Sequence, residues 1–233
     1  MFLPGIPIIG LAGARITLDA AIAPVYGLVL GPYLGALAAL IGGVVVAGYK
    51  GWHIFSVLTS FAPAVSALIA GMLSRRTVAF AGRQVKGWSI AVSVLLILIA
   101  GWYLTWVGQE APLYPVLQWF GVGIVFIFRG RISRLFVSES RRRLSLSVLL
   151  SSYCGLISDH MLGNLVFIFG IGWFIPLKTV ESMLGAMGLP SIPALFMFVL
   201  PISAVERATM SIVAALFGVA LILALRSARM MPK

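Results

Sequence analysis

The chain has 233 residues, of which 61% are hydrophobic and only 10% charged, and its mean hydropathy is +1.09. These values exclude an ordinary water-soluble domain and predict a helical membrane protein. The net charge of +11 would suit a nucleic-acid-binding protein, but most Lys and Arg residues lie in short segments beside apolar runs. That placement is typical of membrane orientation signals, so we expect no nucleic acid as a partner.

Seven apolar segments are candidates for membrane-spanning helices. Gly31 and Pro32 separate the first two, because proline disfavours a helical residue before it and fits the first turn of the next helix. The predicted fold class is all-α, a polytopic membrane helix bundle of about seven spans, and residues 1–233 form a single transmembrane domain. The expected spans are residues 17–30, 32–48, 54–74, 88–107, 113–128, 144–170 and 205–225.

Three groups of basic residues follow the third, fifth and seventh spans and predict the cytoplasmic side. Because each span reverses the side, seven crossings place all three groups, and the C-terminus, on that side. We therefore expect a multi-pass protein of the cell membrane whose basic residues contact lipid head groups or a cytoplasmic partner. The groups are Arg75, Arg76, Arg83 and Lys86; Arg129, Arg131, Arg134, Arg141, Arg142 and Arg143; and Arg226, Arg229 and Lys233.

Most of the acidic residues and both histidines are expected toward the opposite side. Asp159 follows Leu144 by fifteen residues, about 22 Å along a helix, which places it in the outer leaflet. An ionisable residue there costs a few kcal/mol unless it is paired or hydrated, so it indicates a functional site. Either Asp159, His160 and Asn164 line a water-accessible cavity, or Asp159 pairs with Arg207 or His160 and only fixes helix packing.

Other polar residues are expected at the same depth. Arg15 and Asp19 lie four residues apart at the start of the first span, where a local salt bridge is an equally good explanation. His53 and Ser56 lie at the outer end of the third span. Glu206 is expected to open the last span, where its charge also suits the helix dipole.

Two further features allow a structural and a functional interpretation. Trp173, at the outer boundary, either anchors the chain at the interface or stacks on a ligand ring. The second span has small residues that let helices pack closely in lipid, and packing alone explains them: Gly31, Gly35, Ala39, Gly42 and Gly43.

Motifs of known enzymes are missing from the sequence. It contains no H-E-x-x-H, no G-x-S-x-G, no Walker loop and no cysteine pair, since Cys154 is the one cysteine. We expect no cofactor, no metal site and no enzymatic activity. Two alternatives stay open, an intramembrane hydrolase that uses His160 and a membrane scaffold or assembly subunit.

Residues 4–43, PGIPIIGLAGARITLDAAIAPVYGLVLGPYLGALAALIGG, resemble part of the substrate-binding S components of energy-coupling factor (ECF) transporters. In that family a loop ends in a polar residue, a short helix follows, and a Gly-Pro turn opens a helix of small residues. The stretches GLISDHMLGNLVFI and LPISAVERATMSIVAALFGVALILALR are similar to the family's last two helices. The resemblance covers residues 4–75 and 144–229.

The chain departs from the family pattern in two places. Members usually have six helices and begin with a full span before the Pro-Gly-rich loop, whereas Met1 falls almost at that loop. Either the natural start lies upstream or another chain supplies this contact. Residues 88–128 are the second departure, and we interpret them as an inserted helical hairpin.

The resemblance implies a membrane-embedded subunit that binds a vitamin or similar micronutrient for ATP-driven uptake. Its expected partners are a small-molecule substrate, the lipid bilayer, a transmembrane coupling subunit and an ATPase pair. Asp159 and Asn164 are expected to hold polar groups of the ligand, while Trp173 or Phe174 contacts its apolar part. The candidate substrate-binding residues are Arg15, Thr17, Asp19, His53, Ser56, Asp159, His160, Asn164, Trp173 and Glu206.

Overall fold

The computed structural model describes residues 6–7, 15–16 and 18–231 and is mostly helical, as expected for an α-helical bundle. Thr17 lies outside the described residues, and so do the side chains of Arg15 and Asp19. The predicted roles of these three residues in binding therefore stay predictions.

The chain begins with short elements. Strands β1 (Ile6–Pro7) and β2 (Arg15–Ile16) pair antiparallel, and a 3₁₀ helix, Leu18–Ile22, leads into α1 (Ala23–Leu30). Arg15 therefore lies on a strand and Asp19 on a helix. Our prediction that they form an i,i+4 pair on one helix is wrong, because the helical backbone begins only at Leu18.

The remaining elements follow the predicted spans closely. Most predicted boundaries agree within a few residues, and the third span is divided at Ser60 into two helices. The elements are α2 (Pro32–Tyr49), α3 (Ile54–Thr59), α4 (Phe61–Ser74), β3 (Thr77–Phe80), β4 (Arg83–Lys86), α5 (Gly87–Tyr103), α6 (Trp106–Glu110), α7 (Val116–Phe128), α8 (Arg131–Phe136), α9 (Arg141–Gly170), α10 (Leu177–Met187) and α11 (Ile192–Ser227).

Among the described residues, three helical stretches are long and apolar enough to cross a membrane. They are Pro32–Tyr49, Ile54–Ser74 and Ile192–Ser227. Shorter apolar helices cover Ala20–Leu30, Gly87–Tyr103 and Val116–Phe128. These helices are compatible with a membrane protein.

The last helix corrects our prediction for Glu206. It is 36 residues long and begins at Ile192, where the hydroxyl of Ser191 accepts a hydrogen bond from the Ala194 amide at 3.3 Å. Glu206 thus lies well inside α11 and does not open it. We predicted that the last span begins at residue 205, after Pro201, but a proline removes only one backbone donor, and a long apolar helix continues past it.

The segment that carries the first basic group forms regular secondary structure and is not a simple loop. Strands β3 and β4 form an antiparallel hairpin there, with Thr77 opposite Lys86 and Phe80 opposite Arg83. The hydroxyl of Tyr33, at the start of α2, donates a hydrogen bond to the carbonyl of Ala79. This hairpin is therefore held against the Gly31-Pro32 turn.

The described residues of the three basic groups lie at the same end of the bundle, which we call the basic end, because one apolar cluster there joins Ala70, Phe136 and Ile222. The guanidinium of Arg226 donates hydrogen bonds to the carbonyls of Phe136 and Ser138, so the second and third groups are adjacent. A Cβ atom on Gly31 would lie 3.6 Å from the Arg75 guanidinium, which joins the first group to the Gly31-Pro32 turn.

Close packing of α1, α2 and α4 depends on glycine at the points where the helices cross. A Cβ atom on Gly27 would lie 1.8 Å from the carbonyl oxygen of Ala67, and one on Gly35 would lie 2.6 Å from the Cα atom of Gly27. On Gly71 it would lie 2.6 Å from the Cα atom of Pro32. No side chain fits at these distances, so the backbones touch directly.

Candidate functional site

A cavity of about 610 Å³ lies among α1, α2, α3, α4 and α9. This volume is within the range that small-molecule sites in proteins occupy. Its walls combine small apolar residues, hydroxyl groups and two charged residues: Ala20, Ile22, Ala23, Tyr26, Ala39, Gly42, Gly43, Val46, Ala47, Lys50, Phe55, Ser56, Thr59, Ser60, Pro63 and Asp159.

Small residues of α2 leave the space that the cavity occupies. Gly43 packs against α4, where an added Cβ atom would lie 2.8 Å from the Cβ atom of Ser60. An added Cβ atom on Gly42 would meet nothing within 4 Å. Helix packing therefore explains Gly35 and Gly43, as predicted. Gly42 differs from the prediction, because it borders open space.

Hydroxyl groups come from the region where α3 meets α4. The Thr59 hydroxyl donates to the carbonyl of Phe55 at 2.8 Å, and the Ser60 hydroxyl donates to the carbonyl of Val57. A hydroxyl oxygen that donates its proton to the backbone keeps lone pairs that can accept a hydrogen bond. Ser56, which we predicted as a binding residue, lies in the same cavity wall.

Asp159 and Lys50 bring opposite charges to the cavity. Asp159 lies on α9 and is partly buried, and Lys50 directly follows the last residue of α2. The sequence analysis identified Asp159 from its depth in an apolar helix. Lys50 was not among the predicted binding residues, although a cation at the end of a helix of small residues is a usable signal.

His160 and Asn164 lie on the other side of α9 and contact Tyr114, in the segment between α6 and α7. Asn164 Nδ2 donates to the Tyr114 hydroxyl at 2.8 Å, and His160 Nε2 lies 3.3 Å from the same oxygen. Neither His160 nor Asn164 lines the cavity. The structure therefore separates them from Asp159, which the sequence analysis had grouped with them.

Aromatic rings surround this polar contact. Trp102 and Tyr114 are fully or almost fully buried, at 0% and 2% exposure, and stack with ring centroids 4.5 Å apart. Phe196 of α11 meets both rings edge-on at 5.0 Å. The Trp102 indole donates to the carbonyl of Ala111 at 3.2 Å. This group, Trp102, Tyr114 and Phe196 with His160 and Asn164, is called the aromatic cluster below.

Glu206 and Arg207 form an ion pair on α11, with 2.9 Å between the carboxylate oxygen and the guanidinium. Both side chains are mostly buried, and a buried ion pair requires good geometry to offset its desolvation. Glu206 does not line the cavity. Arg207 was one of the partners considered for Asp159. The ion pair shown for Arg207 is with Glu206, its neighbour in the chain.

The last two predicted residues lie at the end of the bundle away from the basic end. His53 is exposed directly before α3, and Trp173 is 76% exposed after α9. Neither lines the cavity, but the Phe174 ring lies 5.2 Å from Trp173 and 6.4 Å from Phe55, which does line it. Phe174 is thus packed against a residue of the cavity wall.

The described residues hold no group of three His, Cys, Asp or Glu side chains that could bind a metal ion. Cys154 is buried and reduced in α9, with its sulfur 3.9 Å from the carbonyl of Gly121.

Comparison with known proteins adds a distant relative. The chain is 26% identical over 144 residues to an uncharacterized protein of Methanocaldococcus jannaschii, and the aligned part covers 61% of this chain. It spans only 45% of the relative's own length. No family model matches the chain, and no solved structure matches it.

Proposed function

We propose that the chain is the substrate-binding subunit of an ATP-driven uptake system for a vitamin or similar micronutrient, of the ECF S-component type. The observation that supports this function best is the cavity, because it has the volume of a small-molecule site and Asp159 in its wall. The subunit binds its substrate and catalyses no reaction of it. A coupling subunit and an ATPase pair supply the energy.

In this proposal the basic end faces the cytoplasm, together with the C-terminus, and the chain crosses the membrane seven times. The clustering of Arg75, Arg226 and the Gly31-Pro32 turn at one end of the bundle supports this orientation. The helices α1, α5 and α7 are short for a span, so they cross by tilting or by being shielded between longer helices.

Cysteine labelling in intact cells tests the orientation. Cys154 is buried, so it serves as a silent background. We introduce Arg83→Cys at the exposed hairpin and Glu110→Cys at the end of α6, both exposed. A membrane-impermeant maleimide should label the Glu110→Cys variant in intact cells and the Arg83→Cys variant only after permeabilisation. The opposite result contradicts the proposed orientation.

Ligand identification tests the function. The purified full chain is examined by native mass spectrometry for a co-purified small molecule and then titrated with a panel of vitamins. Saturable binding without product supports the proposal. Turnover that disappears in the His160→Ala variant would instead indicate an intramembrane enzyme, and a chain that binds nothing in either experiment would indicate a scaffold.

Blocking the cavity links the binding to this site. Gly42→Leu places a side chain where the structure has open space, so the protein should fold and lose affinity at least tenfold. Gly123→Leu is the matched control, since Gly123 is also inside an apolar helix, has no atom within 4 Å of an added Cβ, and does not line the cavity. Equal affinity in both variants would place the binding site elsewhere.

A further inference from the structure

Among the described residues that line the cavity, Lys50 and Asp159 are the charged ones, and they come from different helices. Lys50 caps the end of α2, and Asp159 belongs to α9. Each charge favours a ligand group of opposite charge, and the attraction is stronger at Asp159, which is partly buried, than at Lys50, which is exposed. The cavity therefore presents one anion-binding and one cation-binding position.

The other described residues that line the cavity are uncharged. Gly42, Ala39 and Ala47 form part of it with apolar surface, and Ser56 and Thr59 contribute hydroxyl groups. Such a wall accommodates a neutral body with a few hydrogen-bonding groups, and specificity then depends on the charged residues that also line the cavity.

We propose that the ligand is amphoteric: it has an anionic oxygen group that binds Lys50 and an N–H donor or cation that binds Asp159, joined by a neutral body. This inference rests on the proposed function and adds the chemical class of the substrate. It assigns a binding role to Lys50. The anionic group is a carboxylate or a phosphate, and the experiment separates these two sources.

Matched pairs of compounds test the anionic position with the full chain in detergent. Isothermal titration compares biotin with biotinamide, pantothenate with pantothenol, and pyridoxal 5′-phosphate with pyridoxal. In the pair that binds, the anionic member should bind at least ten times more tightly than its neutral partner. The first two pairs report a carboxylate and the third a phosphate.

Variants of Lys50 then test whether this residue binds the anionic group of the ligand. Lys50→Met should lower affinity for the anionic member by about 10- to 100-fold, the usual range for a hydrogen bond to a charged group, and leave the neutral member within about twofold. Lys50→Arg should keep the preference for the anion. Lys178→Met is the matched control, because Lys178 is exposed on α10 and does not line the cavity.

The outcomes separate this inference from the proposed function. Equal binding of a neutral member and its anionic partner by the unmodified chain overturns the amphoteric ligand and leaves the uptake proposal standing. A Lys50→Met variant that binds the anion as the Lys178→Met control does overturns the role of Lys50. A chain that binds no member of the panel and carries no co-purified molecule overturns the proposed function, and this inference with it.

Discussion

The two sides of α9 differ in how completely they are filled. On one side, α9 faces α1 to α4 across a cavity of about 610 Å³ whose wall includes Asp159. On the other side, the aromatic cluster fills the space, with Trp102 and Tyr114 stacked at 4.5 Å and His160 and Asn164 in contact with the Tyr114 hydroxyl. One side has room for a ligand, and the other has the dense packing of a structural core.

This difference separates residues that are neighbours in sequence. Successive residues of an α-helix point about 100° apart, because the helix has 3.6 residues per turn. Asp159 and His160 are adjacent in α9, yet the first lines the cavity and the second contacts Tyr114. Neighbouring residues of a short polar motif in an apolar helix thus face two environments, a cavity and a packed cluster.

The largest effect is expected in the aromatic cluster. Trp102→Ala should lower the free energy of unfolding by about 3–5 kcal/mol, because it leaves a void beside Tyr114 and Phe196 and removes the indole hydrogen bond. Denaturant titration in micelles measures it. Trp106→Ala is the control, since that side chain is 50% exposed. Equal losses in the two variants would show that the aromatic cluster is not a packed core.

Asp159→Ala tests the cavity side. We expect affinity for the identified ligand to fall by about 10- to 100-fold, since a hydrogen bond to a charged group is lost. Denaturant titration of the same variant checks that it is folded, so that the loss of affinity is assigned to the cavity. Calorimetric titration measures affinity, and unchanged affinity would contradict the assignment of Asp159 to the binding site.

Tyr114→Phe sharpens the comparison because it removes only one oxygen from the aromatic cluster. The variant leaves Asn164 Nδ2 and His160 Nε2 without this partner, which should cost about 1–3 kcal/mol of stability. Ligand affinity should stay within about twofold, as Tyr114 does not line the cavity. A large loss of affinity with normal stability would mean that the aromatic cluster takes part in binding.

His53→Ala should have the smallest effect of the four. The side chain is exposed, its residue does not line the cavity, and surface substitutions usually change stability by less than about 0.5 kcal/mol. Affinity should stay within about twofold. A clear loss of affinity would support the sequence-based prediction that His53 is a binding residue and would extend the site toward the end of α3.

Hydropathy and helix-terminal residues predicted most of the helices. The apolar runs predicted α2, α5, α7 and α9 to within a few residues, and the Gly31-Pro32 turn lies between α1 and α2 as expected. The predicted start of the last span was wrong, because a proline inside a long apolar helix has the same local sequence as a helix boundary. The β3–β4 hairpin was not predicted, since the basic residues in and beside it indicated a cytoplasmic loop.

The candidate site was harder to predict than the fold. Depth in an apolar helix was enough to single out Asp159, because the cost of an ionisable group in lipid depends on position along one helix. The separation of His160 and Asn164 from Asp159 depends on which helices pack against each face of α9. Gly42 borders open space, whereas Gly43 packs against Ser60. This difference likewise depends on where α4 lies.

By itself, the sequence determined that the chain is apolar, helical and asymmetric in charge, because these properties are sums over local residues. The tertiary structure decided that Lys50, Ser56 and Asp159 share one cavity and that His160, Asn164 and Tyr114 share another neighbourhood. A cavity is the space that several packed helices fail to fill, so its position depends on all of them together and on no single segment of the chain.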